Sequence, residues 1–106
     1  MASLSTHVLD TGAGRPASGV AVVLESASGE TLDDAHTDAD GRVGSIGGDL
    51  APGDYRLRFD TGAWFAEAGT EAFYPEVAVS FTIAADEHFH VPVLLSRYGY
   101  STYRGS

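Results

Sequence analysis

Short segments in which apolar and polar residues alternate recur along this chain, with turn-forming residues between them. In the segment PGDYRLRFD, Tyr55, Leu57 and Phe59 alternate with Arg56 and Arg58. Successive side chains of a β-strand point to opposite faces, so this pattern predicts a strand with one buried face. Further strands are predicted over residues 5–10, 20–25, 77–83, 88–96 and 99–104. The pattern as a whole predicts an all-β sandwich of about eight strands in two sheets.

Two connecting segments have specific predicted structures. Residues 61–69 (TGAWFAEAG) predict one short helix that Thr61 caps and Gly69 ends. The segment DADGR, Asp38 to Arg42, resembles part of a calcium loop, but the later glutamate ligand of such loops is missing. It is therefore predicted to be a hairpin turn, with Gly41 at positive φ.

Length and charge limit the function classes. A chain of 106 residues predicts a single domain, residues 1–106. The formal net charge of −9 argues against nucleic acid and against anionic membranes as partners, because both bind basic surfaces. No apolar stretch is long enough to span a bilayer, and the first residues lack the regions of a secretory signal, so a cytoplasmic location is expected. There is no cysteine for disulfide or thiol chemistry.

The last nineteen residues, 88–106, contain no acidic side chain, although the chain has fifteen Asp and Glu. They hold two of its four His, two of its six Arg and three of its five Tyr, a mixture suited to proton transfer and to binding a polar planar anion. On a strand, His88 and His90 share one face, and the apolar residues Phe89, Val91, Val93 and Leu95 share the other. Pro92 cannot donate to a ladder, which predicts an edge strand or a bulge.

Two chemical interpretations of the histidines are open at this point. In one, His7 from the first strand joins His88 and His90 to bind zinc with an open position for water. In the other, a neutral His is the general base and an Arg stabilises an oxyanion without metal. For any single His a structural role is the commoner one, and His36, in a polar stretch, is assigned that role.

Several motifs resemble a known family. GVAVVLES, TDADGRV and LAPGDYRLRF resemble the general transthyretin-like, or prealbumin-like, sandwich. STHVLDT at residues 5–11, AFYPEV at 72–77 and the run HFHVPVLLS…YGYSTYRGS resemble the 5-hydroxyisourate hydrolases, transthyretin-related enzymes of urate degradation, over essentially the whole chain. In place of Arg97 that family usually has proline; the turn is expected to survive the difference.

The resemblance implies a mechanism and an assembly. It implies hydrolytic opening of a cyclic amide of 5-hydroxyisourate, without cofactor or metal, to 2-oxo-4-hydroxy-4-carboxy-5-ureidoimidazoline. It also implies a homotetramer, a dimer of dimers, with sites where the dimers meet. The catalytic positions matched are His7, Arg42 and His90, and the substrate-binding positions are Tyr103, Arg104, Gly105 and Ser106.

Three alternatives remain beside this hypothesis. One is a carrier of a small aromatic ligand, as hormone-carrying transthyretins are. Another is the zinc-dependent hydrolase using His7, His88 and His90. The third is a structural module, which gives no reason for an acid-free terminus rich in His, Tyr and Arg.

Overall fold

The computed structural model describes residues 1–106 and contains nine strands and one helix. The elements in chain order are β1 (Ser3–Asp10), β2 (Arg15–Pro16), β3 (Ala21–Ser26), β4 (Thr31–His36), β5 (Arg42–Val43), β6 (Gly53–Phe59), α1 (Thr61–Glu67), β7 (Val77–Ile83), β8 (His88–Leu95) and β9 (Tyr100–Thr102). The predicted all-β architecture with one short helix is confirmed.

The strands form two sheets. The first, called here the site sheet, has the order β2-β1-β8-β9, and β5 also pairs with β1. The second, called the outer sheet, has the order β4-β3-β6-β7. The pairing of β1 with β8 is parallel and all other pairings are antiparallel. Because β1 and β8 come from opposite ends of the chain, their pairing brings the first histidine close to the C-terminal strip.

The core lies between the sheets, where both inner faces are apolar. Leu57 and Phe59 of β6 are fully buried and Tyr55 is half-buried, as the alternation predicts. On β8 the predicted core face is also confirmed, since Phe89, Val91, Val93 and Leu95 are all buried. Burial of these side chains orients β8 so that its histidines lie on the outer face of the site sheet.

The prediction from Pro92 that β8 is an edge strand or carries a bulge is wrong. The strand lies inside the site sheet, between β1 and β9, and its pairings with both keep one register. The Pro92 carbonyl accepts a hydrogen bond from Thr102 Oγ1, at 2.8 Å, at the end of the β9 ladder. Amide and carbonyl of one strand residue point to the same side, so the missing N–H of Pro92 faces the place where this ladder stops. An interior strand therefore tolerates this proline.

The helix has a different N-terminus from the one predicted. Asp60 is the N-cap residue, without a side-chain capping bond, and Thr61 is the first helical residue. The Thr61 hydroxyl is buried and has no hydrogen-bond partner, so Thr61 is not the cap. Gly69, at φ +73°, follows the C-cap residue and ends the helix as predicted.

Strand β4 has no apolar alternation in the sequence and was not predicted. Five of its six residues are exposed, all except Ala35, and the strand forms an edge of the outer sheet. Acidic side chains such as Asp33 and Asp34 suit an edge strand because they oppose pairing with another chain. No helix of the structure has the length and apolar character needed to cross a membrane.

Candidate active site

The DADGR turn leads from β4 of the outer sheet to β5 of the site sheet and places Arg42 beside β1. It is therefore a turn between the sheets and not the predicted hairpin, because β5 pairs with β1 and not with β4. The Asp38 carboxylate accepts hydrogen bonds from the backbone N–H groups of Asp40, at 2.9 Å, and Arg42, at 3.0 Å. These bonds, that of Arg42 above all, hold the pKa of Asp38 below its ordinary value. Gly41 has φ +74°, a conformation that favours glycine. The turn places Arg42 directly opposite His7 in the β1–β5 pairing. The Asp38 carboxylate is engaged by backbone N–H groups of the turn, so a turn accounts for this segment without a calcium ion.

The parallel register of β1 and β8 brings serines next to histidines. Ser3 lies opposite His88, and Ser5 lies opposite His90. Ser5 Oγ is 2.7 Å from His90 Nδ1 and 2.8 Å from His88 Nε2, and Ser3 Oγ is 2.6 Å from His88 Nδ1. The two imidazole rings are therefore held in place by hydroxyl groups of the neighbouring strand.

The C-terminal segment packs against His90. The Gly105 N–H donates to the His90 carbonyl at 2.8 Å, in an isolated bridge beyond β9. A Cβ atom on residue 105 would lie 2.5 Å from His90 Cδ2 and 3.3 Å from its Cβ. The backbone approaches the imidazole so closely that only glycine fits without displacing the ring.

These elements enclose a cavity of about 450 Å³ on the outer face of the site sheet. No acidic side chain lines the cavity, and Arg42 is its one permanent cation. Arg42 forms no ion pair, unlike Arg56, Arg58 and Arg104. The lining residues are Ser5, Thr6, Arg42, Val43, Gly44, His88, His90, Tyr103, Gly105 and Ser106.

His90 is half-buried, and its surroundings favour the neutral imidazole near pH 7. Burial lowers its pKa below the ordinary value of 6.5, and the nearby Arg42, His7 and His88 lower it further. A hydrogen bond with the Ser5 backbone acts in the opposite direction. A neutral imidazole keeps a lone pair, so His90 can accept a proton from a molecule in the cavity.

The structure brings most of the predicted site residues together. Arg42, His90, Tyr103, Gly105 and Ser106 all line the cavity. Two predicted residues do not line it, and each has another partner.

His7 lies beside the cavity, where its Nε2 donates to the Asp40 carbonyl at 2.9 Å. Arg104 points away: its guanidinium bonds Glu87 and lies 4.7 Å from the centre of the Phe89 ring.

Four lining residues were not predicted as site residues: Ser5, Thr6, Val43 and Gly44; His88 was predicted only as a ligand in the zinc alternative. Alternation along β1 places Ser5 on the face of His7, so its presence could have been inferred from spacing alone. Val43 and Gly44 follow Arg42 in the chain. Thr6 belongs to the opposite, buried face, and its hydroxyl donates to the Val91 carbonyl at 2.6 Å.

The structure contains no group of three or more His, Cys, Asp or Glu side chains placed to hold one metal ion. His7 Nε2 is engaged by a carbonyl, and the Ser5 hydroxyl lies between the rings of His88 and His90. The three-histidine zinc hypothesis therefore lacks a preassembled set of ligands.

Comparison with known proteins finds that this chain is similar, in both sequence and structure, to members of one family. Residues 4–105 match the family model described as the HIUase/Transthyretin family. A 5-hydroxyisourate hydrolase of Salmonella typhimurium is 51% identical over 109 residues, 97% of this chain and 80% of that protein. The structure of Klebsiella pneumoniae 5-hydroxyisourate hydrolase superimposes with a TM-score of 0.94 at 47% identity, covering all of both chains. Sea bream transthyretin in complex with thyroxine has a TM-score of 0.89 at 28% identity, with 96% of this chain and 93% of that chain covered.

Proposed function

This chain belongs to the HIUase/transthyretin family, and we propose that its cavity hydrolyses 5-hydroxyisourate by water attack on a ring amide, assisted by His90 and Arg42. The activity is that of a hydrolase, as in the similar proteins. The observation that supports this mechanism best is the pairing, in one cavity without acidic side chains, of a neutral imidazole and an unpaired guanidinium.

His90 is the general base of this mechanism. It lines the cavity, its Nδ1 is engaged by Ser5, and its Nε2 is the ring nitrogen left for water. Nε2 takes a proton as the water oxygen bonds to the amide carbon, and it returns that proton to the ring nitrogen when the C–N bond breaks. His7 positions the Arg42 turn, since its own Nε2 is occupied by the Asp40 carbonyl.

Arg42 stabilises the negative charge that develops on the carbonyl oxygen. Its guanidinium has no carboxylate partner, so its hydrogen-bond donors remain available for the substrate. A donor already in place costs no reorganisation when the charge forms. The missing acidic side chains in the lining also leave this positive charge unneutralised.

The C-terminal residues shape the cavity. Tyr103 and Ser106 contribute hydroxyl groups to the lining, and Gly105 keeps the His90 ring in place. Arg104 anchors this segment through Glu87 and Phe89. Its guanidinium therefore does not reach a substrate in the cavity of its own protomer.

A carrier function has less support. Transthyretins share the fold, but only two of the ten residues lining this cavity are hydrophobic. Small-molecule carriers bury an aromatic ligand mostly against apolar side chains. The polar lining favours a reacting substrate over an aromatic cargo.

The fading absorbance of freshly made 5-hydroxyisourate tests the proposal. We expect His90→Ala to lower the rate by about 10²- to 10⁴-fold, because the general base is lost. His36→Ala is the matched control: His36 is exposed on β4 of the outer sheet, and its removal leaves the rate unchanged. A folded His90→Ala protein with a near-normal rate would reject the assignment.

We further propose that the chain acts as a homotetramer, a dimer of dimers whose sites lie at the dimer-dimer interface. Tyr103, which lines the cavity, is 57% exposed in the single chain, and Tyr98, in the turn between β8 and β9, is 61% exposed. Tyrosine is enriched in protein interfaces. Dilution that dissociates the tetramer is expected to abolish turnover, and full activity of a demonstrated monomer would contradict this assembly.

A further inference from the structure

We propose that Ser5, His88 and Ser3 form a proton relay that sets the tautomer of His90 and moves the charge acquired by His90 to the more exposed His88. The inference rests on the proposed function, because it describes how the general base of that reaction is prepared and restored. Ser3, Ser5 and His88 are positioning residues in this scheme, acting on the reaction through His90.

The relay is a continuous series of short hydrogen bonds between alternating imidazoles and hydroxyls. From the cavity outward, His90 Nδ1 meets Ser5 Oγ at 2.7 Å, Ser5 Oγ meets His88 Nε2 at 2.8 Å, and His88 Nδ1 meets Ser3 Oγ at 2.6 Å. The series starts at the half-buried His90 ring, crosses the buried Ser5 and the exposed His88, and ends at the half-buried Ser3. It therefore connects His90 by side chains alone with a second histidine of the cavity lining that is more exposed in the single chain.

Counting protons shows that the series has two arrangements. A neutral imidazole and a hydroxyl each carry one hydrogen for these contacts. If Ser3 donates to His88 and Ser5 donates to His90 Nδ1, then His90 holds its proton on Nε2. If His90 Nδ1–H donates to Ser5 and Ser5 donates to His88 Nε2, then His90 Nε2 keeps its lone pair. Only the second, outward arrangement makes His90 a base toward the cavity.

The outward arrangement also explains where the charge goes during the reaction. When water gives a proton to His90 Nε2, the Nδ1 proton passes to Ser5 Oγ as Ser5 passes its own to His88 Nε2. His90 and Ser5 are then neutral again, and His88 carries hydrogens on both nitrogens and the positive charge. The reverse shift restores Nδ1–H when His90 Nε2 protonates the leaving nitrogen, so protons balance over the cycle.

Charges around His90 favour this transfer. Arg42 and His7 face it from β5 and β1, His88 lies on its own strand, and Tyr103 faces it from the C-terminal segment. A positive charge kept on His90 is repelled by the Arg42 guanidinium in a half-buried position. His88 is exposed in the single chain whereas His90 is half-buried, so the same charge is less desolvated on His88.

The tautomer of His90 is tested without substrate, by ¹⁵N NMR of histidine-labelled protein. We expect wild-type His90 to be protonated on Nδ1 at neutral pH and Ser5→Ala to shift it toward the Nε2–H form. Ser5→Thr, which keeps the hydroxyl, is expected to retain the wild-type tautomer. A wild-type His90 protonated on Nε2 would overturn the relay whatever the activity.

Kinetic measurements on serine variants are the second test of the relay. Ser5→Ala is expected to lower kcat by about 10²-fold, the lower end of general-base effects, with KM unchanged and with rescue in Ser5→Thr. Ser3→Ala, outside the cavity lining, lowers kcat less and in the same direction. Ser80→Ala, on β7 of the outer sheet, is the matched control for loss of a strand hydroxyl.

The two tests separate the relay from the proposed function. Unchanged tautomer and unchanged kcat in folded Ser5→Ala would overturn the relay while the hydrolase activity stands. A wild-type protein that does not hydrolyse 5-hydroxyisourate, but whose His90 tautomer follows the Ser5 hydroxyl, would support the relay and reject the substrate.

Discussion

The outer faces of the two sheets use arginine in opposite ways. On the outer sheet, Arg58 bonds Glu25 at 2.8 Å and Glu76 at 3.3 Å, and Arg56 reaches Glu25 at 3.4 Å. On the site sheet, Arg42 has no carboxylate partner. The chain is strongly acidic, yet the Arg42 guanidinium forms no ion pair, although Asp38 and Asp40 lie in the same turn.

The pairing on the outer sheet serves the fold. Glu25 is 6% exposed, and hydrogen bonds from Arg58 first, and then from Arg56, hold its pKa below the ordinary value. A buried carboxylate is stable only with such partners. The comparison teaches that the paired arginines of the outer sheet serve the structure, whereas in the proposed mechanism the unpaired Arg42 binds charge that forms during the reaction.

The sharpest test of this contrast exchanges one arginine at a time for methionine. Arg42→Met is expected to lower kcat/KM for 5-hydroxyisourate by about 10²- to 10³-fold, the effect of removing an oxyanion donor, with an unchanged melting temperature. Arg58→Met is expected to lower the melting temperature, because Glu25 loses its nearest partner, with kcat/KM unchanged. Absorbance kinetics and thermal unfolding measure both. If Arg42→Met lowered the melting temperature and Arg58→Met lowered kcat/KM, the proposed difference between the two arginines would be rejected.

Gly105→Ala tests whether the C-terminal segment keeps the His90 ring of the site sheet in its catalytic position. The new Cβ would lie 2.5 Å from His90 Cδ2, so the ring must shift. Displacement of a catalytic group by about 1 Å can cost about 10²-fold in rate, and a loss of that order is expected here. Gly99→Ala is the control, because a Cβ there meets nothing nearer than the Ser96 hydroxyl at 3.7 Å. Equal activity of both variants would contradict the close contact.

Activity, which depends on His90, and stability, to which Glu25 contributes, are expected to be lost in different pH ranges. Neutral His90 is needed for catalysis and its pKa lies below 6.5, so kcat/KM is expected to decline only below pH 6.5, by up to about tenfold per pH unit. Glu25 has a folded pKa below its ordinary 4.5, so its contribution to stability is complete above pH 4.5 and is lost as pH falls through the folded value. Between these ranges the protein is folded but slow. Parallel loss of activity and circular dichroism would contradict the separation.

Arg97→Pro is expected to have the smallest effect. The Arg97 side chain donates to the Glu71 carbonyl at 2.9 Å and lies 5.0 Å from the centre of the Tyr98 ring, so its partners are neutral. The turn itself is held by Ser96 and Gly99, whose backbone bond is 2.9 Å. Proline restricts the unfolded chain, and we expect the free energy of unfolding to change by no more than about 1 kcal/mol. Chemical denaturation measures this, and a larger loss would show that the side chain holds the turn.

Much of the fold was predictable because burial of one strand face leaves a period of two in the sequence. β6 and β8 carry that period, and their core faces were predicted residue by residue. β4 was not, because an exposed edge strand needs no apolar face. The interior position of β8 was not predictable either, since a proline at the end of a neighbouring ladder looks in sequence like a proline on an edge.

The candidate site was predictable only in its residue types. The acid-free terminus and the HFH motif indicated histidines of β8, whereas Arg42 and the choice of His90 came only from the resemblance to the 5-hydroxyisourate hydrolases. The place of Ser5 between two imidazoles depends on the register of β1 against β8, and these strands are more than eighty residues apart in the chain. Arg104 and Tyr103 are neighbours in sequence, yet only Tyr103 lines the cavity, because the Arg104 guanidinium is held by Glu87 and the Phe89 ring.

The sequence by itself determined the strand faces, the glycine turn and the unequal distribution of charge, since each depends on neighbouring residues and on burial. Tertiary structure alone decided which histidine meets which hydroxyl and which arginine stays unpaired. Those contacts form only when the parallel β1–β8 register and the closing C-terminal segment bring distant residues within hydrogen-bond distance, and no local pattern encodes that distance.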